Sequence, residues 1–258
     1  MHSNERRARV QRIASRTTAA TRANSERRFS YSAPMGSRKS TMTFIEASAR
    51  DVPPLAFTPQ SMDFDRPPVD PVAECERWFA EAWQLPTPNP NAMTLATSTA
   101  RGVPSARTVL LKAFDAYGAV FFTNRESRKG EELRANPVAE VLFHWDQLGR
   151  QLRIAGAVSE LDDDDSDAYF ATRPRDSQIG AWASDQSRPL ADRETLLGRV
   201  TESMATYDGI NIPRPPHWGG YRISLDTIEF WQAHPFRIHD RVVYRRSGTN
   251  WLTTRLFP

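Results

Sequence analysis

The sequence predicts a mainly β protein with some α structure: an antiparallel sheet closed into a barrel, with helices packed outside it. Two observations lead there. From Ala92 to Leu256 the chain runs through short β-prone segments joined mainly by tight-turn signals, and strands do not alternate regularly with crossover helices as a parallel sheet requires. Hydrophobic content of 39%, with 10% aromatic, gives a chain of 258 residues enough apolar material for a real core. That length allows one or two domains.

Taken in order, residues 1–69 read as a disordered basic and Pro-rich extension, and residues 70–258 as the folded domain. The first 34 residues hold eight Arg, two Glu and no Lys or Asp. That is the composition of an organelle transit peptide, of a basic tail, or of a start codon set upstream of the true one, with Met35, Met42 and Met62 as later starts. The expected location is cytoplasmic, or organellar if the stretch is a transit peptide. Order begins at Asp70-Pro71, an N-cap followed by proline at the first helical position. Val72, Cys75, Phe79 and Ala82 then recur at helical spacing to about Leu85, and Pro86, Pro88 and Pro90 close the helix. Strands follow at Ala92–Ser98, Ser105–Phe114 and Ala119–Asn124, separated by turns at Ala100-Arg101-Gly102 and Ala116-Tyr117-Gly118. A short helix at Ser127–Ala135 precedes strands at Ala139–Trp145 and Arg150–Glu160. Asp162–Asp165 open a helical stretch, where negative charge suits the helix dipole. A helix at about Asp192–Tyr207 and a Pro-rich loop lead to closing strands at Gly220–Gln232, Arg241–Arg246 and Trp251–Leu256.

Charge is informative once split. Residues 1–50 carry eleven Lys/Arg and three Asp/Glu, a net of +8 against +3 for the whole chain, so residues 51–258 carry −5. An acidic folded part argues against a nucleic-acid-binding module. No apolar run approaches the 18 or so residues of a membrane span, so no membrane association is expected. The single cysteine, Cys75, excludes an internal disulfide, and five scattered histidines offer no metal-ligand spacing.

Four clusters could carry chemistry. Tyr169–Ser187 (YFATRPRDSQIGAWASDQS) gathers hydroxyls, guanidiniums and a carboxamide around small residues. Tyr169 and Arg173 stand four apart on one helical face, Pro174 breaks the turn, and Ser177 follows, so a phenol, a guanidinium and a hydroxyl face one phosphate-sized anion. Gly180, Ala181 and Ala183 admit a flat ligand, and Gln186 and Ser187 add neutral hydrogen bonds. A surface helix–loop–helix with solvated arginines would use similar residues. In Arg107–Lys112 (RTVLLK), strand alternation puts Arg107, Val109 and Leu111 on one face and Thr108, Leu110 and Lys112 on the other. Phe122-Thr123-Asn124-Arg125-Glu126-Ser127-Arg128-Lys129 ends a strand and starts a helix with Ser127 as N-cap, an arrangement that binds phosphate and that also describes an ordinary basic turn. In Glu229–Arg241 (EFWQAHPFRIHDR), Trp231 offers a flat face, and Arg237, His239 and Arg241 alternate onto one side of an extended segment.

In this order the clusters resemble the pyridoxine (pyridoxamine) 5′-phosphate oxidase family. The resemblance runs from about Asp70 to Pro258 and rests on PNAMTLAT, PSARTVLLK, FFTNRESRKGEEL, GRQLRI, YFATRPRDSQIGAWAS, WGGYR and EFWQ…RIHDR. It implies an FMN-binding split β-barrel, a homodimer with FMN at the subunit interface, and oxidation of pyridoxine and pyridoxamine 5′-phosphates by O2 to pyridoxal 5′-phosphate. It also implies FMN contacts at Arg107, Thr108, Val109, Leu110, Leu111, Lys112, Phe122, Thr123, Arg128, Lys129, Gln151, Gln186, Ser187, Trp231 and Arg241. Substrate contacts are implied at Lys112, Tyr169, Arg173, Ser177, Arg237 and His239; Arg237 and His239 are also implied as the catalytic residues, orienting the ring and its reacting carbon and open to a part in proton movement, with no general base identified and no metal implied. The chain departs from the family with Ile238 for the usual Leu, with its Leu256-Phe257-Pro258 ending, and in lacking an Arg-Arg-x-Tyr-like element across residues 46–70. The rival readings are another flavin split-barrel reductase or carrier, and a non-catalytic binding module.

Overall fold

The computed structural model describes residues 55–258. The predicted transit-like stretch therefore lies outside the described residues. Among the described residues ten strands and five α-helices follow one another: α1 (Pro71–Ala82), β1 (Ala92–Ser98), β2 (Pro104–Leu110), β3 (Ala113–Asp115), β4 (Gly118–Asn124), α2 (Arg128–Ala135), β5 (Val138–Trp145), β6 (Arg150–Glu160), α3 (Asp163–Ala171), α4 (Arg175–Ala183), α5 (Arg193–Thr206), β7 (Trp218–Ile223), β8 (Thr227–Gln232), β9 (Asp240–Ser247) and β10 (Asn250–Arg255). Every strand pair is antiparallel. The main path runs β10-β9-β8-β6-β5-β1-β2, and β3, β4 and β7 form a second ladder joined to it through β6.

Alternation builds the core. Met93 and Leu95, Val141 and Phe143, Leu152 and Ile154, Ile228 and Phe230, and Val242 and Tyr244 all point to one face and are buried. Against that face lies α1, whose apolar stripe of Cys75, Trp78, Phe79 and Ala82 has no more than 9% exposure. As the sequence predicts, Asp70 caps α1 by accepting from Val72 N at 2.9 Å, and Pro71 takes its first position. Burying one such large side chain contributes about 1.5–3 kcal/mol, so the aromatic T-contacts of Trp78 and Phe79 with Phe230, Phe143 and Trp145 anchor the helix.

Two predicted strands are in fact four. Ser105–Phe114 breaks after Leu110, because Leu111 N still donates to Asn91 O (3.0 Å) while Lys112 N turns to Val120 O (2.8 Å). The chain there leaves β1 for β4. Gly220–Gln232 breaks at Ser224–Asp226, where β6 changes partner from β7 to β8. Gly156 marks that crossing: a Cβ there would sit 2.1 Å from Ser224 O. Neither break carries a Gly or Pro of its own, which is why the sequence conceals them.

Packing also starts before Asp70. Met62 and Phe64 are buried in the main core, Tyr244 Oη donates to Pro68 O at 2.8 Å, and the boundary predicted at residue 70 is too late by at least eight residues. The fully buried Arg150 ties this segment down. Its guanidinium lies 4.6 Å from the Trp78 ring, pairs with Glu81, and donates to Gln60 O (2.7 Å) and to Gln232 Oε1 (2.9 Å).

Candidate functional site

A cleft of about 750 Å³ opens between β2, β4 and the α2–α4 helices. β2 brings Arg107, Thr108, Val109 and Leu110 to its wall, and the corner that follows brings Lys112. β4 contributes Phe122 and Thr123, the start of α2 contributes Arg128 and Lys129, α3 and α4 with the turn between them contribute Tyr169, Arg173 and Ser177, and the loop after α4 contributes Gln186 and Ser187. Ser187 stands at φ 73°, a left-handed conformation that commonly marks functional sites. Fourteen of the residues singled out in the sequence thus share one concavity, although they come from segments up to 80 residues apart.

At one end lies a cationic knot. Lys129 Nζ donates to Thr123 Oγ1 (3.0 Å), Ser127 Oγ (2.9 Å) and Gln186 Oε1 (2.5 Å). Burial, aided by the nearby Arg107 charge, lowers the Lys129 pKa to about 8. Ser127 holds the N-cap position of α2, but its hydroxyl donates to Asn124 O and accepts from Lys129, so it braces the lysine and does not cap the helix. Gly130 lets this turn close: a Cβ there would meet Arg125 O at 2.1 Å. Four donors of Arg107 are spent internally, on Leu95 O, Thr97 Oγ1, Ser105 Oγ and Glu132. Arg128 is different. Its Nε donates to Glu132 Oε1 at 2.9 Å, while its mostly exposed terminal nitrogens make no hydrogen bond among the described residues.

Glu132 sits behind both guanidiniums. Burial would raise its carboxyl pKa, but hydrogen bonds from Ser105, Thr97, Arg128 and Arg107 overcome that and hold it at about 2. The sequence analysis missed this residue. The only available signal was its spacing four after Arg128, the ordinary spacing of a helical ion pair.

At the other end, rings stack in a row. Phe122 and Tyr169 lie 4.1 Å apart, and Trp218 stacks on Phe122 at 5.3 Å. Arg173 caps the row, 4.7 Å from the Trp218 ring, with Nη1 buried and without a hydrogen-bond partner among the described residues. Burial lowers the pKa of this guanidinium. A desolvated cation with an orphaned donor, beside the Tyr169 phenol and the Ser177 hydroxyl in the first turn of α4, is a poor structural element and a strong anion seat. Lys112 Nζ stands 5.9 Å over the Tyr169 ring, so a second cation faces the same end. Trp218, within the WGGYR motif, is the ring on which that end is built.

The remaining residues lie elsewhere. Gln151, Trp231 and Arg241 form consecutive rungs across β6, β8 and β9. The His239 ring lies 4.5 Å from Trp231, and Arg241 pairs with the buried Glu229 at 2.8 Å. The segment carrying Arg237 is not extended as the alternation argument expects. Pro235–Arg237 form a 3-10 turn in which Phe236 and Arg237 take φ of 59° and 61°. Leu111 packs its side chain toward the core. Four strand spacings, about 19 Å along the sheet, separate β8 from β2. Among the described residues no hydrogen bond or ring contact joins this patch to the cleft.

Comparison with known proteins is decisive. Residues 79–206 match the family model described as pyridoxamine 5′-phosphate oxidase, and residues 218–258 match that of the pyridoxine 5′-phosphate oxidase C-terminal dimerisation region. The pyridoxine/pyridoxamine 5′-phosphate oxidase of Paraburkholderia phymatum is 53% identical over 199 residues, covering 77% of this chain and 93% of that relative. The chain belongs to the pyridoxine/pyridoxamine 5′-phosphate oxidase family. Among solved structures, PhzG from Burkholderia lata, in complex with tetrahydrophenazine-1-carboxylic acid, is 36% identical with a TM-score of 0.71, covering 76% of this chain and 96% of that one. An FMN-binding protein from Nostoc punctiforme related to pyridoxamine 5′-phosphate oxidase has a TM-score of 0.57 at 17% identity, covering 72% of this chain and 96% of that one, and shares the fold. The oxidase family's split barrel is the architecture predicted from the sequence. Its dimerisation region contains Trp231, Arg237, His239 and Arg241, four of the residues that lie outside the cleft; Gln151 and Leu111 lie in the other matched region. No described helix is long and apolar enough to cross a membrane.

Proposed function

We propose that the chain oxidises pyridoxine 5′-phosphate and pyridoxamine 5′-phosphate to pyridoxal 5′-phosphate, in vitamin B6 synthesis and salvage, with FMN as resident cofactor. Two electrons and two protons leave the substrate and reduce O2 to H2O2; with the amine, hydrolysis also releases NH3. The observation that carries this reading is that one cleft holds two separate anion seats: Arg128 and Lys129 at one end, Arg173 with Tyr169, Ser177 and Lys112 at the other. Two phosphates, one on the flavin and one on the substrate, suit them. FMN, when bound, supplies two-electron redox chemistry between the substrate C4′ carbon and O2.

The chain's own contribution is binding and orientation. Arg128 offers its open terminal nitrogens and Lys129 its charge to the flavin phosphate, while Thr123, Gln186 and Ser187 add neutral hydrogen bonds. Arg107, Thr108, Val109, Leu110 and Lys112 form the wall that would hold the flavin. At the far end the orphaned Arg173 donor meets the substrate phosphate, which fixes the substrate ring against the flavin, and such positioning is itself a large share of barrier reduction. The patch of Gln151, Trp231, Arg237, His239 and Arg241 completes the site from a second copy of the chain in a homodimer. The place of its β8 and β9 residues in the dimerisation region, and the distance of the patch from the cleft of its own copy, support that arrangement.

The test is direct. Purified protein is expected to be yellow, and to bleach on adding pyridoxine 5′-phosphate without oxygen; a colourless protein that takes up no FMN would refute the reading.

A further inference from the structure

His239 belongs to a loop that binds itself. The backbone N–H of His234 donates to His239 Nδ1 at 3.1 Å. The His234 ring in turn meets Asp240 Oδ2 at 2.7 Å, and Asp240 also pairs with Arg255 on β10. Between the two histidines the chain makes its 3-10 turn through the positive-φ pair Phe236 and Arg237. Both ends of the loop are therefore fixed, and the half-buried His239 ring is held beside Trp231.

A backbone N–H can only donate, so the nitrogen that receives it must present a lone pair. We infer that this loop holds His239 as the tautomer with its proton on Nε2, so that the residue serves its ligand as a hydrogen-bond donor and not as a base. This rests on the proposed function for the identity of the ligand, but not for the tautomer. Nε2 is the ring nitrogen left without a protein partner among the described residues, and it already carries a hydrogen. A proton could reach Nδ1 only by breaking the His234 bond and opening the loop. His239 therefore matches an oxygen acceptor on the substrate ring. His234 acts as a positioning residue, since its backbone sets the tautomer and its side chain ties the loop to Asp240.

The tautomer is read by long-range 15N–1H NMR of the full chain labelled at histidine, at neutral pH, with and without FMN; the His239 signals are assigned by their loss in His239→Gln. An unprotonated Nδ1 beside a protonated Nε2 is expected, and the reverse pattern would overturn the inference. The donor role is read from two amide replacements. Glutamine places its amide near the position of Nε2, asparagine near that of Nδ1. His239→Gln is expected to keep kcat/KM for pyridoxine 5′-phosphate within about tenfold of the parent, and His239→Asn to lose at least about tenfold more. Equal losses, or a better asparagine variant, would overturn the donor role. A parent protein that does not oxidise pyridoxine 5′-phosphate would refute the proposed function, while the NMR result still decides the tautomer.

Discussion

The cleft and the Trp231 patch are both rich in arginine, yet they handle charge in opposite ways. In the cleft, Lys129 and Arg173 are desolvated and no carboxylate contacts either among the described residues, so each sits below its ordinary pKa. In the patch, Arg241 is neutralised by Glu229, and Arg237 lies in an exposed turn. A site with unspent buried charge gains most from an arriving anion; a site with spent charge offers shape and direction. The proposed function therefore assigns phosphate binding to the cleft and ring orientation to the patch.

Complementation breaks this comparison most sharply. Arg173→Ala and Arg241→Ala homodimers are each expected to lose most activity. A purified mixed dimer carries one site free of both changes and should recover about half of the parent rate. Recovery that never rises above the homodimers would mean that cleft and patch act within one copy. Next in size is Arg128→Ala, which removes the open guanidinium. Charge-assisted contacts of this kind contribute about 1.5–3 kcal/mol, so the FMN Kd of the apoprotein should rise roughly 10- to 100-fold, while that of riboflavin, which lacks the phosphate, stays level.

Arg237→Lys keeps charge and removes the planar fork. It should leave FMN affinity unchanged and lower kcat/KM about tenfold, some 1.4 kcal/mol. Loss of flavin in that variant would assign Arg237 to the flavin instead of the substrate. The smallest effect is a pH dependence. Lys129 is charged below about 8 and loses its proton above it, and a bound phosphate raises its pKa. Binding therefore takes up a proton at higher pH, and FMN affinity should fall by a few-fold, at most about tenfold, per pH unit above 8. Lys129→Arg, which cannot deprotonate in this range, should flatten the curve in flavin titrations.

Much of this was legible in the chain because it is local. The Asp70-Pro71 cap, the strand Arg150–Glu160 and the turn at Tyr117-Gly118 are set by neighbours in sequence, and they stand where they were expected. The cleft residues were legible as clusters for the same reason. What stayed hidden depends on partners far along the chain. Nothing near Leu111 announces that its neighbour Lys112 changes ladders, since the reason lies in Asn91 and Val120. Glu132 looks like an ordinary helical ion pair until Thr97 and Ser105 arrive from β1 and β2. The left-handed pair Phe236 and Arg237 lacks the glycine that would have revealed a turn.

Arg150 carries a consequence for how the chain comes together in time. Its oxygen acceptors lie 90 and 69 residues earlier and 82 residues later in the chain. Gln60 and Glu81 have left the ribosome before Arg150 does, but Gln232 emerges only with β8. A half-made domain that closed its core early would enclose a guanidinium short of one acceptor, at a cost of about 1–3 kcal/mol or more for the charged group. That penalty favours an open chain until β8 is available. The strand that supplies this last acceptor also carries Trp231, so a core that has closed around Arg150 already has Trp231 in place beside Gln151 in the sheet.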